Sequence, residues 1–107
     1  MEDFAGQTLY SCRNCRNPIA LRDDLLSKHF MAKSGPACMF THAMNVVLGR
    51  KEERGMLTGW FTIADVSCHN CGEVLRWKYV RAHQAKENRY KEGKFVLETM
   101  KIVKEYY

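Results

Sequence analysis

"SCRNC" at residues 11–15 and "SCHNC" at residues 67–71 write a serine, two cysteines and an asparagine in the same order, 56 positions apart. Each stretch holds one Cys-x-x-Cys pair, Cys12 with Cys15 and Cys68 with Cys71. Such a turn aims two thiolates at a common point and supplies half of a tetrahedral metal site. Two turns together provide four sulfur ligands and leave no position for water, which is the pattern of a structural zinc site. Fifty-two residues separate Cys15 from Cys68, against the roughly 12–20 of a small zinc ribbon or finger. The metal is therefore expected to clamp two β-hairpins and to close a loop holding about half the chain.

The residues around the pairs fit this reading. Gly72 follows the second pair and suits the positive φ that such turns need. The first pair is followed by Arg16 and Asn17, and Asn17 is the residue expected to accept that conformation. Arg13 and Arg16 bring positive charge beside a site that stays net negative with its metal. A redox-active Cys-x-x-Cys needs only one pair, at a helix N-terminus within a βαβ setting. Both pairs here fall between segments that read as strands.

The bulk properties bound what else the chain does. Its 107 residues sit at the centre of the single-domain range, so one domain is expected over 1–107. An apolar fraction of 46% with 27% charged residues is that of an ordinary globular protein. No run approaches the ~20 apolar residues of a membrane span. The acidic start, Met1-Glu2-Asp3-Phe4, lacks the basic region and apolar run of a signal peptide. The expected setting is nucleus and/or cytoplasm, where paired cysteines serve metal or redox chemistry rather than disulfides. The formal charge of +5 assumes protonated thiols; four thiolates and one divalent ion lower it to +3. Segments 50–54 and 86–94 mix both signs and read as solvated loops. Nucleic acid, which needs a coherent basic stripe or aromatic platforms among basic residues, is not an expected partner. Neither is a membrane.

Along the chain the pattern is mostly that of antiparallel strands. "IALRDDLLSKHF" (19–30) fits either one helical face or a strand, a turn at Asp23-Asp24 and another strand. "SGPA" (34–37) reads as a turn. "CMFTHAMNVVLG" (38–49) reads as a strand, a break and a short strand ending at Gly49. "MLTGWFTIADVSC" (56–68) predicts a strand entering the second cysteine pair, and "EVLRWKYV" (73–80) one leaving it. The alternation of the latter puts Leu75, Trp77 and Tyr79 on one face and Arg76 and Lys78 on the other. "HQAKENRYKEG" (83–93) reads as a loop, and 94–100 as a further strand.

The spacing C-x2-C-x52-C-x2-C resembles that of the Yippee family of zinc-binding proteins. Gly35, Asn45, Gly59, Trp77, Tyr79, Glu98 and the stretch "YKEGKFVLE" (90–98) fit the same pattern. "ALRDDLLSKHF" and "EERGMLTG" look most like its plant branch. The resemblance spans almost the whole chain. It implies a β-tent of two antiparallel sheets meeting steeply and pinned at the apex by one structural zinc ion on Cys12, Cys15, Cys68 and Cys71. The thalidomide-binding domain of cereblon and B-type methionine sulfoxide reductases are similar in architecture. By that similarity Trp77, Tyr79 and Phe61 are candidates for an aromatic ligand pocket. Arg76 stands where the family pattern has glycine, which alters the pocket rim.

Each candidate also has a plainer reading. Alternating aromatic residues on a strand usually face a core, so Trp77 and Tyr79 fit core packing as well as a pocket. Cys38, left outside the pairs, reads as a small buried hydrophobe rather than a reactive thiol. His29, His42, His69 and His83 form no metal-ligand spacing. The resulting expectation is a non-enzymatic, zinc-stabilised recognition or adaptor module that binds a protein segment or small ligand. The resemblance further implies an association with ubiquitin-ligase assemblies or cell-division control. Two alternatives are a methionine sulfoxide reductase-like enzyme using Cys38, and a nucleic-acid-binding β-tent.

Overall fold

The alternating segments build nine strands in the computed structural model, which describes residues 4–32, 35–83 and 86–107. These are β1 (Thr8–Cys12), β2 (Pro18–Leu21), β3 (Leu25–Ala32), β4 (Gly35–Phe40) and β5 (Val46–Met56). They continue with β6 (Gly59–Cys68), β7 (Val74–Ala82), β8 (Phe95–Glu98) and β9 (Ile102–Tyr106). A three-stranded sheet has the order β2-β1-β9, and a six-stranded sheet the order β3-β4-β8-β7-β6-β5. All pairings are antiparallel. The mainly β, two-sheet architecture expected from the sequence is the one observed.

Two apolar clusters form because strands send alternate side chains to opposite faces. On β4, Cys38 and Phe40 join the first cluster while Ala37 and Met39 join the second. On β8, Phe95 and Leu97 divide from Val96 in the same way. The first cluster takes Tyr10, Ile19, Ala20 and Ile102 from the small sheet and so lies between the sheets. Tyr10 meets Phe40 there edge-on, with ring centroids 5.3 Å apart. The second cluster draws its buried members only from the six-stranded sheet, among them Phe61, Ile63, Trp77 and Tyr79. It builds the wall of the cavity described below.

Several local expectations are corrected. Segment 19–30 is not a helix: a short 3-10 turn at Arg22–Asp24 joins β2 to β3. The strand-turn-strand alternative holds. Ser34 lies outside the described residues, and Gly35 and Pro36 belong to β4 rather than to a turn. Pro36 is tolerated because the pairing of β4 with β8 begins only at Ala37. The strand after Asn45 does not end at Gly49, and "RKEER" is no loop: both are part of the eleven-residue β5. β5 is the outer strand of its sheet and almost wholly exposed. Charged side chains there keep an unpaired edge in water and discourage further pairing. Trp60 lies opposite Gly55 in the register and covers it, since a Cβ there would sit 3.2 Å from the indole.

The polar 83–93 stretch contains a 3-10 segment, Lys86–Lys91, that buries Asn88 and Lys91. Asn88 Nδ2 donates to the Thr58 carbonyl at 2.6 Å and ties this segment to the tip of the β5–β6 hairpin. The strand expected over 94–100 stops at Glu98. A 3-10 turn, Thr99–Lys101, then carries the chain from the large sheet to β9 in the small one. That crossing keeps the cysteine turns together. The Arg13 N–H donates to the Lys101 carbonyl at 2.9 Å, Arg13 Nε donates to the Met100 carbonyl at 3.0 Å, and Lys101 pairs with Glu73.

Candidate metal centre and adjoining pocket

The two cysteine turns sit at the tips of the β1–β2 and β6–β7 hairpins and repeat one set of backbone bonds. In the first, the Arg16 N–H donates to the Cys12 carbonyl at 2.7 Å and the Cys12 N–H to the Asn17 carbonyl at 2.8 Å. In the second, Gly72 donates to Cys68 at 2.8 Å and Cys68 to Glu73 at 2.8 Å. The residue after each second cysteine takes positive φ, +79° at Gly72 and +66° at Arg16. Arg16, not Asn17, therefore carries the left-handed conformation. Its side chain is held by Glu105 of β9 at 3.1 Å. Asn17 instead reaches across the two turns, where its side-chain amide donates to Cys68 Sγ at 3.4 Å.

The four sulfurs lie within 4.8 Å of one another, and among the described residues no other such ligand cluster occurs. Cys12 Sγ is 3.6 Å from Cys71 Sγ, and Cys15 Sγ is 3.5 Å from Cys68 Sγ. Zn–S bonds of ~2.3 Å in a tetrahedron give sulfur edges of about 3.8 Å, whereas a disulfide requires ~2.05 Å. The arrangement fits a zinc ion with all four positions filled by protein, and it does not fit disulfides. Zinc here supplies a cross-link between hairpins, with no open position for a substrate.

The turns also prepare the thiols unequally. Burial opposes ionisation of Cys68, but the Asn17 amide and the backbones of Cys71 and Asn70 outweigh it and bring this thiol down to about 6. The Asn14 side chain and the Glu73 backbone hold Cys71 below the usual thiol range. Burial pushes Cys12 up to about 12 against the backbones of Cys15 and Asn14. Metal binding displaces whatever protons these sulfurs still carry, because zinc takes its cysteine ligands as thiolates.

Asn45 braces the centre, a role its sequence context did not signal. It sits at φ +56°, its side-chain amide donates to the Pro18 carbonyl at 2.7 Å, and its own carbonyl accepts the His69 N–H at 2.9 Å. It therefore joins the exit of one cysteine turn to the interior of the other. Asn45→Ala should destabilise the protein by about 2 kcal/mol, combining a lost hydrogen bond with a left-handed alanine. Asn45→Gly should recover about half of that, as read by denaturant unfolding; equal losses in both variants would contradict this role.

A cavity of about 930 Å³ opens on the far side of the second cluster. Trp77 and Tyr79 of β7 line it, with Phe30 and Met31 of β3, Leu57 at the β5–β6 tip, and three cations, Arg54, Arg76 and Lys91. Phe61, the third candidate, does not line it; this ring is fully buried and packs behind Tyr79 with centroids 4.9 Å apart. Trp77 and Tyr79 stand edge to face at 5.8 Å. Burial pushes the Tyr79 phenol up to about 12, against the Trp77 indole N–H. Lys91, Arg54 and Leu57 were not anticipated. A lysine in "YKEGK" looks solvated until the 3-10 segment turns it inward. Cys38 is buried between the sheets and away from this cavity, with Thr99 Oγ1 at 3.9 Å. The four histidines take no part in the cysteine cluster.

The comparisons with known proteins agree with this geometry. Residues 8–106 match the family model described as "Yippee zinc-binding/DNA-binding /Mis18, centromere assembly". A yippee-like protein of Arabidopsis thaliana is 53% identical over 105 residues, covering 98% of both chains. A second from that plant is 56% identical over 104 residues, covering 95% of this chain and 98% of the relative. Human yippee-like 3 is 43% identical over 96 residues, covering 90% of this chain and 80% of the relative. The crystal structure of a Mis18 "Yippee-like" domain superposes with a TM-score of 0.73 at 12% identity, over 94% of this chain and 97% of that one, a likeness of fold alone. No helix among the described residues is long and apolar enough to cross a membrane. With four cysteines gathered to hold a metal ion and a family match over nearly its whole length, the chain belongs to the Yippee/Mis18 family of zinc-binding proteins.

Proposed function

We propose that this protein is a non-enzymatic recognition module in which zinc holds the fold and the cavity beside Trp77 and Tyr79 does the binding. The observation that carries this reading is the cavity itself. At about 930 Å³ it falls within the roughly 300–1,000 Å³ of small-ligand sites. Its wall is aromatic, and its rim carries Met31 and Leu57, which are 71% and 109% exposed. Exposed apolar residues beside a concave site are a common mark of a binding surface. The buried Cys38 and the closed sulfur tetrahedron support the non-enzymatic side, since neither offers a reactive group to a substrate. The occupant is a protein segment or a small ligand. The adaptor role, in ubiquitin-ligase assemblies or cell-division control, and a place in nucleus or cytoplasm belong to the same proposal.

The test uses the rim, because Met31 and Leu57 are too exposed to hold the fold. Small aromatic fragments titrated into the isotope-labelled, zinc-loaded protein should shift the Trp77 indole and Leu57 resonances. Met31→Glu with Leu57→Glu should weaken that binding at least ~10-fold while leaving zinc content and stability within about 0.5 kcal/mol. Fragment-induced shifts confined to other surfaces would overturn the assignment.

A further inference from the structure

The polar side chains around the cavity are donors and cations, with no carboxylate among the described lining residues. Lys91 is 5% exposed, yet among the described residues its ammonium forms no ion pair and only one hydrogen bond, to Thr58 Oγ1 at 3.5 Å. An ammonium carries three donors. In place of water it faces the rings of Phe61 at 5.3 Å, Tyr79 at 5.6 Å and Phe30 at 5.8 Å. Such contacts replace only part of its lost hydration, and burial lowers its pKa. Arg76 Nε and Trp77 Nε1 are both buried without a well-formed hydrogen bond. The Arg76 guanidinium rests 4.7 Å above the Trp77 ring. The Tyr79 hydroxyl donates only to the Met56 sulfur, at 4.0 Å, and thioether sulfur is a weak acceptor. Arg54, at the rim, is already paired with Glu52 at 2.8 Å.

Buried donors without partners are rare in native proteins, and each calls for an acceptor. Here two such donors, Arg76 Nε and Trp77 Nε1, share one aromatic wall with two weakly bonded ones, Lys91 Nζ and the Tyr79 hydroxyl, and the described lining residues provide no anion to meet them. A carboxylate offers about four acceptor sites and the opposite charge. We propose that the cavity is selective for a carboxylate-bearing ligand, its apolar part against Trp77 and Tyr79 and its carboxylate toward Lys91 and Arg76. This deepens the recognition reading and rests on it. The carboxylate belongs to a free organic acid or to the C-terminus of a peptide, and the two sources present the same chemistry.

The test pairs acids with their neutral amides on the zinc-loaded protein, followed by the Trp77 indole and backbone amide resonances. The probes are 3-phenylpropionate with 3-phenylpropanamide, and a tetrapeptide ending in phenylalanine as free acid and as amide. In at least one pair the acid should bind ~10-fold or more tightly, the factor expected of one charge-assisted hydrogen bond. The pair that shows the preference identifies the source. Lys91→Met, which keeps the length of the side chain without its charge, should abolish the preference while zinc content and spectral dispersion persist. Equal binding of acid and amide in both pairs, or an unchanged preference in Lys91→Met, overturns the carboxylate assignment and leaves the pocket standing. Binding by none of the four probes overturns both.

Discussion

Stripping zinc from the protein is expected to unfold it, with loss of dispersed resonances and of the cooperative thermal transition. Structural zinc sites contribute roughly 10–16 kcal/mol at neutral pH, while a domain's whole stability is about 5–15 kcal/mol. Here the ion also closes the 52 residues between Cys15 and Cys68, including β2 to β6. Without it, the four sulfurs gathered within 4.8 Å of one another have no ion to hold the two hairpin tips together. One equivalent of zinc should restore the spectrum. Cys68→Ser should behave like the stripped protein, whereas Cys38→Ser should keep its zinc. Acid acts in the same direction. The lowered Cys68 thiol stabilises the fold fully above the ordinary value of 9.0, and that contribution is gone once the pH falls below about 6. A chelated protein that melts cooperatively near the original temperature would contradict the clamp.

Trp77→Ala should cost about 3–5 kcal/mol, the range for removing a large aromatic side chain from a packed core. Trp77 is only 5% exposed and packs with Tyr79, Val96 and Ile63 in the second cluster. For a chain of this size the melting temperature should fall by roughly 15–25 °C. Trp60→Ala offers the contrast. Trp60 is half exposed and covers Gly55 from outside, so its loss should cost no more than about 1 kcal/mol. Both substitutions are read in the same denaturant experiment; comparable losses would mean that the second cluster is not a core. The core and pocket readings of Trp77 therefore coexist, because the nearly buried residue belongs to the second cluster and also lines the cavity. Loss of ligand in Trp77→Ala alone cannot separate them, which is why the rim residues and Lys91 carry the binding tests.

The features that sequence made visible are those whose physics is local. A Cys-x-x-Cys turn is written in four residues, and its repetition at 67–71 was enough to name the ligands. β6 and β7 are readable as strands from their alternation, but not the destination of each side chain: Leu75 joins the first cluster while Trp77 and Tyr79 join the second, and on β6 the adjacent Ile63 and Ala64 are both buried. Arg16 shows the limit even there: the turn needs a left-handed residue at a fixed offset from the cysteines, and backbone geometry overrode the better intrinsic tolerance of Asn17. β5 reads as a loop because an edge strand exposed on both faces has no alternation to show, and its "RKEER" composition suits an edge as well as a loop. The crossing at Thr99–Lys101 was hidden because β8 and β9 serve different sheets, a fact set by pairing with β7 and β1 and not by their own residues. Lys91 was invisible for the same reason. Its burial comes from Asn88 docking on the β5–β6 tip, a long-range contact, whereas its neighbours in "NRYKEG" are those of a solvated loop.

One zinc ion on four sulfurs from two distant turns holds this fold. Zinc X-ray absorption on the purified protein, with the metal quantified per chain, tests it most directly. One zinc per chain with a shell of four sulfurs near ~2.3 Å is the expected result. A folded chain without zinc, or a shell containing nitrogen or oxygen in place of one of the sulfurs, would contradict it.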